Sequence, residues 1–515
     1  MSTHYKAMLV VMAIAVLVFL IGKPLLCKFM APADFVVRRN VWLGLNLAAF
    51  LIPQYWAYVG IASVLLAYGA KRDSNPAALY MSLQLAMLPV GLNVPTFGLF
   101  NQLFVLDHLR LLALVVLLPM AIGLARQRGT MNRSPYQYGG RCSIGFPADV
   151  LLLSYAALQI GLLMPYESIT GTFRRMVLLG IDVLLPYYVL SRACRTRESV
   201  VDVMAGFALA MFVAAALAAF EVAKGWLLYL GIQDQWAAPA IVNYLMRGDY
   251  LRAQVSSGHS IVLGYAMAVA FGFWLYLQSR VAARGWRWLA MLTLVAGILL
   301  PFARGPWLGA ALLLLVFLGL GPNRANRLFK VIGLFALGGV LSTLLGYGDK
   351  IIDALPFVGT LDESTIDYRQ RLAEQSWLLI QQNPFFGSPW YLAHLEELRQ
   401  GQGIIDLVNA YAGIALAYGL VGLGLFVGFF GFVVIKAVRA IRAAAGSDPD
   451  LSLMGASLVA CMIAGLFMIA TVNLYLSVAS ITWSLAGLTV SYLVLSRQSL
   501  TDTALRAPWL AAATP

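Results

Sequence analysis

LAMLTLVAGILLPFARGPWLGAALLLLVFLGL occupies residues 289–320, and Arg304 is its only charged residue. Twelve apolar or small residues precede Pro301 and a second such run follows Trp307, so the stretch reads as two membrane helices joined by a very short turn. An arginine in so tight a turn lies at the edge of a bilayer, where an ionisable group is costly and usually faces a cavity or a partner. The competing reading is a side chain that snorkels to lipid phosphates.

Working outward, the same texture covers the chain. Of 515 residues, 61% are hydrophobic and 11% charged, whereas soluble domains are about 25% charged. This composition excludes a soluble multidomain enzyme and a disordered chain. The fold expected is an all-α polytopic membrane protein. Apolar runs place spans near 8–27, 41–54, 55–70, 77–93, 106–124, 147–165, 173–191, 200–228, 259–279, 286–303, 305–320, 327–346, 407–437, 452–471 and 474–495. Region 41–70 reads either as a hairpin broken at Pro53 or as one kinked helix, so 14 or 15 transmembrane helices are expected. The run Met8–Leu26 lacks a small-residue cleavage site and reads as the first helix.

The net charge of +13 is a topology signal. Short segments that fall on one side of the 15-span arrangement hold 23 of the 36 Lys and Arg residues. That side is expected to be the cytoplasm, and no nucleic-acid partner is needed to explain the charge. The four cysteines and four histidines are scattered, without metal-ligand spacing. No phosphate-binding or dinucleotide-binding glycine motif stands in a strand–helix context. No cofactor and no metal are expected.

Two long segments fall on the other side, 231–258 and 346–406. The second is too long for a connector and contains a helix-like stretch, Ser364–Gln382, which predicts a helical cap. Three regions follow: N-terminal spans at 1–230, a core with both long loops at 231–437, and C-terminal spans with a tail at 438–515.

Candidate chemistry concentrates in the middle region. Arg252 and His259 end the first long loop. Arginine offers a planar, always-charged fork suited to phosphate, so Arg252 and Arg304 converging at one surface would bind a lipid diphosphate and stabilise it as it departs. The second loop offers Arg369, Arg371, His394, Glu396, Glu397 and Asp406. A carboxylate or histidine there could take a proton from a sugar hydroxyl, although mixed-charge runs on loop helices are commonly solvated faces. Asp182 and Glu221 are the main acids inside spans. Asp182 reads equally as a structural partner for an arginine.

Three local patterns together resemble the O-antigen ligase and O-antigen/exopolysaccharide polymerase (Wzy-type) superfamily. They are Arg252 with Gly258-His259-Ser260 and Gly264; Ala303-Arg304-Gly305-Pro306-Trp307-Leu308; and Arg369, Asn383-Pro384-Phe385-Phe386-Gly387, Asn409-Ala410-Tyr411 and Tyr418-Gly419-Leu420-Val421-Gly422-Leu423. They cover about 230–430. The resemblance implies a metal-independent glycosyltransferase of the bacterial inner membrane, active at the periplasmic face. Its donor would be an undecaprenyl-diphosphate-linked oligosaccharide, with Arg252, Arg304, His259, Arg369, Arg371, Asn409 and Tyr411 at the substrate. Arg252, Arg304, His394 and Glu397 are the catalytic candidates. Membrane lipids and a chain-length regulator or flippase are the partners implied. Ligases of this family carry a histidine just before the asparagine of the third pattern, where Val408 stands here. That departure favours a polymerase over a lipopolysaccharide-core ligase. It leaves His394, Glu396, Glu397, Asp406 and His259 as candidate replacements. A transporter is the alternative of a different class, supported by the number of spans. Against it, transporters place ionisable groups and broken helices near the midplane, and the unusual charges here lie in the loops.

Overall fold

The computed structural model describes residues 3–95, 102–131, 145–239, 241–321, 363–399, 405 and 407–511. The span expected at 327–346, and Asp406, lie outside the described residues. The described chain is almost entirely helical. Eight of its helices are long and apolar enough to cross a membrane, and two shorter apolar helices, Pro147–Leu163 and Arg304–Leu320, join them.

Helix α1 (Thr3–Leu26) is followed by α2 (Pro32–Leu51), which opens with proline in its first turn, where the missing N–H costs nothing. The chain breaks around Pro53 and resumes as α3 (Tyr55–Arg72). Region 41–70 is therefore a hairpin. The span expected at 77–93 is not a helix. A single short helix, α4 (Pro76–Ser82), gives way to irregular chain and then to β1 (Gly91–Pro95), which pairs antiparallel with β2 (Gln102–Asp107), Gly91 opposite Asp107.

This broken segment still runs from one end of the bundle to the other. At its start, Asp73 shares the buried Arg38 with Asp202. Arg38 Nε donates to Asp73 Oδ2 at 2.7 Å and Nη2 to Asp202 Oδ2 at 2.8 Å. Further along, Leu85 O accepts from Ser256 Oγ, in the loop before α12. Every residue from Ala77 to Gly91 is buried. Unwound backbone at such depth survives only where protein satisfies it. Here His108 Nε2 donates to Leu83 O at 3.0 Å and Asn46 Nδ2 to Ala86 O at 2.9 Å. Apolar composition marks the crossing, and distant side chains permit its irregular shape.

After β2, α5 (His108–Leu112) and α6 (Leu118–Met131) form one span joined by a π-helical turn. Helix α7 (Gly145–Leu163) follows. Helices α8 (Ile169–Leu179) and α9 (Leu185–Ala193) make a further span, again through a π turn at Gly180–Leu184. Such turns widen a helix locally and recur at functional sites. Helix α10 (Arg197–Lys224) is capped by Thr196 and Ser199 and ends at Gly225, φ +59°. It and α12 (Ser260–Leu277) are apolar all round and form the buried centre. Between them lie α11 (Leu230–Gln235) and the small hairpin β3 (Met246–Arg247) and β4 (Tyr250–Leu251). Helices α13 (Arg284–Leu299) and α14 (Arg304–Leu320) flank the short turn that contains Pro301 and Phe302.

The expected cap helix is present as α15 (Glu363–Gln382). Its Leu372 joins Leu395, Leu398, Leu407 and Leu416 in a small apolar core of its own. Three last helices, α16 (Ala410–Ala444), α17 (Pro449–Met468) and α18 (Leu476–Ala511), complete the described bundle.

Candidate functional site

The three sequence patterns converge. A Cβ placed on Gly264 of α12 would lie 2.7 Å from Pro306 Cγ, so the first pattern packs directly on the second. Gly305 sits against Thr471 in the same way, and two residues before Thr471 the Ile469 carbonyl accepts from Ala410 N at 2.9 Å. The turn before α14, the head of α12 and the head of α16 thus meet around one point.

At this point the first long loop is fastened to the α13–α14 turn. Arg252 Nε donates to Pro301 O at 3.2 Å, Arg247 Nη1 donates to Phe302 O at 2.7 Å, and the Tyr250 and Phe302 rings stack at 5.6 Å. Arg304 starts α14 two residues beyond Phe302, so its backbone adjoins the turn that Arg252 and Arg247 hold. Among the described residues no carboxylate pairs with Arg252. Burial, and then the neighbouring Arg247, push its guanidinium down to about 10. A half-buried cation next to a second cation is poised for an anion.

The loop's shape is imposed from beneath. Glu221 of α10, fully buried, accepts Leu228 N on one oxygen at 3.0 Å. Its other oxygen accepts Gln254 N at 3.0 Å and Val255 N at 2.9 Å. Val255 has φ +50° and Gly258 φ +74°. His259 then caps α12, its Nδ1 accepting Ile261 N at 3.2 Å. Burial, with Arg252 nearby, depresses His259 to about 4, so its ring is neutral and carries its proton on Nε2. In that tautomer it donates and does not act as a base.

Other sequence candidates brace the junction or lie on the cap. Asn409 caps α16, its Oδ1 accepting Tyr411 N at 2.9 Å and Ala412 N at 3.2 Å, and Tyr411 Oη donates to Leu466 O at 2.7 Å. Both side chains therefore hold the junction together. In the 3₁₀ stretch Tyr391–Leu398, Leu395 and Leu398 turn inward, which leaves His394 and Glu397 exposed. Arg369 and Arg371 are exposed on α15, and Glu396 pairs with Arg399 at 2.6 Å. Val408 packs on the cap's apolar core. The Asn383–Gly387 pattern forms a wedge. Leu420 N donates to Pro384 O at 2.8 Å and Ser388 N to Leu416 O at 2.8 Å, across a break in α16 at Gly419, φ +64°.

Beside the junction lies a cavity of 630 Å³. It is bounded by β1 and β2, both π turns, the heads of α16 and α18, and Tyr391 of the cap. Its aromatic wall includes Tyr155, Tyr418 and Trp483, and its polar groups include Asp107, Arg110, Arg175 and Asp182. Arg110 and Asp182 form a two-point ion pair, Nη2–Oδ2 2.8 Å and Nε–Oδ1 3.0 Å. Asp182 is thus an arginine's partner. Arg175 Nη2 donates to Tyr418 Oη at 2.7 Å. Sequence reasoning missed Asp107, Arg110 and Arg175. Charges at the ends of apolar runs were the available signal, obscured because snorkelling arginines look the same.

Residues 289–427 match the family described as O-antigen ligase. The match runs from α13 to the first half of α16 and includes the second and third patterns, while Arg252 and His259 lie upstream of it. At the level of that family the match supports glycan transfer of the O-antigen ligase or polymerase type, in a multi-pass membrane protein. None of the curated proteins compared matches the chain.

Proposed function

We propose that the protein is a polymerase of bacterial surface polysaccharide, O-antigen or exopolysaccharide. In this reading it moves an undecaprenyl-diphosphate-linked glycan onto a sugar hydroxyl of the next lipid-linked repeat unit. The observation that carries it is Arg252, half-buried beside Arg247, anchored to Pro301 O and without a carboxylate partner among the described residues. With Arg304 three residues beyond Pro301, the junction is chemically fitted to a diphosphate leaving group. Guanidinium forks bind it and spread its developing charge, which is the role a metal serves in other sites. The arginine-rich end of the bundle would face the cytoplasm and this junction the periplasm of the inner membrane. Val408 in place of the ligase histidine favours a polymerase over a ligase that delivers finished glycan to lipid or protein.

The test uses purified protein in nanodiscs with undecaprenyl-diphosphate-linked repeat units, no nucleotide sugar and no metal. A product ladder spaced by whole repeat units is expected, and it should vanish in Arg252→Ala and in Arg304→Ala with the protein still folded. Transfer only to an added lipid or protein acceptor would favour the ligase. Full activity in either variant would remove that arginine from the site.

A further inference from the structure

The proposed reaction needs a group to accept a proton, and the described residues lining the cavity beside the arginines do not include His259, His394 or Glu397. His259 uses Nδ1 as a helix cap, and His394 and Glu397 are exposed on the cap. Among the described residues the cavity is lined by two carboxylates, Asp107 and Asp182, and they differ. Asp182 is gripped at both oxygens by Arg110. Asp107 ends β2 and caps α5. Its carboxylate accepts the backbone N–H groups of Arg110, at 2.9 Å on Oδ1, and of Leu109, and its Oδ2 makes only a looser ion pair with Arg110 Nη1 at 3.6 Å. That Nη1 already donates to Val105 O at 2.6 Å.

Asp107 is also tied to the arginine junction. It stands opposite Gly91 in the hairpin, two residues past Pro89. Pro89 packs on Gly258, where a Cβ would lie 3.7 Å from its Cδ, and Gly258 immediately precedes His259. One wall of the cavity is therefore continuous with the loop that carries Arg252.

We propose, on the basis of the polymerase reading above, that the cavity holds the acceptor sugar and that Asp107 is the general base for its attacking hydroxyl. Tyr155, Tyr418 and Trp483 form an aromatic wall for a sugar, and the Arg110–Asp182 pair offers polar contacts at its edge. As the hydroxyl oxygen bonds to the anomeric carbon, its proton passes to Asp107 Oδ2. The bond from that carbon to the diphosphate oxygen breaks with its electron pair on the oxygen, and Arg252 and Arg304 hold the lipid diphosphate released. The proton on Asp107 then returns to solvent through the cavity.

The titratable groups facing Asp107 are Arg110, Asp182 and Tyr55. Burial pushes the Asp107 carboxyl up to about 6, with Arg110 opposing and Asp182 adding to the rise. A base so placed is ionised at neutral pH and still able to take a proton.

The experiment measures kcat and acceptor KM from pH 5 to 9 in nanodiscs for the wild type, Asp107→Asn and Asp107→Ser. Both replacements retain a side chain that caps a helix. The wild-type kcat should fall as pH drops through about 6. Each variant should lose about 100-fold or more in kcat, keep its acceptor KM within about threefold, and lack the acid limb. A variant with wild-type kcat, or with the acid limb intact, overturns the assignment. Should neither variant fold, a wild-type kcat that stays flat from pH 7 to 5 overturns it. Wild-type protein inactive at every pH refutes the polymerase reading itself, whereas active wild type with an equally active Asp107→Asn refutes only the base.

Discussion

Glu221→Gln tests whether the arginine loop is held in place from the bundle centre. The carboxylate accepts three backbone N–H groups, Leu228 on one oxygen and Gln254 and Val255 on the other. Glutamine keeps the volume but has one acceptor oxygen. In its better orientation Oε1 stays with Gln254 and Val255, and the amide NH₂ faces the Leu228 N–H. The Leu228 N–H, at about 1–3 kcal/mol, and the amide's own N–H groups are then without acceptors. The two retained bonds lose their charge assistance, at about 1 kcal/mol each. The total is roughly 3–5 kcal/mol from these per-bond values, large for one residue. Thermal unfolding in nanodiscs can be followed with a thiol-reactive dye, because Cys194 and Cys461 are buried in the folded protein. A markedly lower midpoint is expected, together with weaker glycan transfer, since the turn at Gln254–Val255 sets where Arg252 emerges. A midpoint and a transfer rate equal to wild type would refute the reasoning.

Three further outcomes are expected. Gly419→Ala places a Cβ about 2.1 Å from Phe385 O at φ +64°, so the wedge must leave the α16 break; a loss of about 2–4 kcal/mol is expected from strain and lost hydrogen bonds. Gly387→Ala should act on the same contact, and the double variant should lose clearly less than the sum in the same dye assay. Arg38→Met leaves Asp73 and Asp202 buried without their cation, which costs about 3–5 kcal/mol; adding Asp73→Leu and Asp202→Leu should recover much of the melting temperature. Arg252→Lys keeps the charge but loses the fork, so repeat-unit transfer should fall at least about tenfold, and an unchanged rate would argue against a bidentate contact.

Much of the fold was legible because a bilayer punishes exposed backbone and charge, so long apolar runs had to be buried or to span. The two-helix reading of 289–320 and the cap helix followed from local pattern, and the hairpin at Pro53 was one of the two readings that pattern left open. Region 77–93 did not. Its apolar residues suit an intact helix and a buried broken one equally, and the choice was made by Asn46, His108 and Ser256, which satisfy its carbonyls from distant points in the chain.

The site divides the same way. Arg252 and Arg304 stood out in the sequence as charges in unusual places, and their order along the chain carried the family resemblance. The contact of Arg252 with Pro301, the tethering of the Arg252 loop to Glu221 and the cavity that brings Asp107 and Asp182 together are tertiary facts. The sequence by itself determined which segments leave water, because transfer free energy is a sum over local residues. The tertiary structure decided which polar groups face one another in the space left between those segments, because a hydrogen bond or an ion pair depends on angstrom-scale distances that hydropathy does not encode.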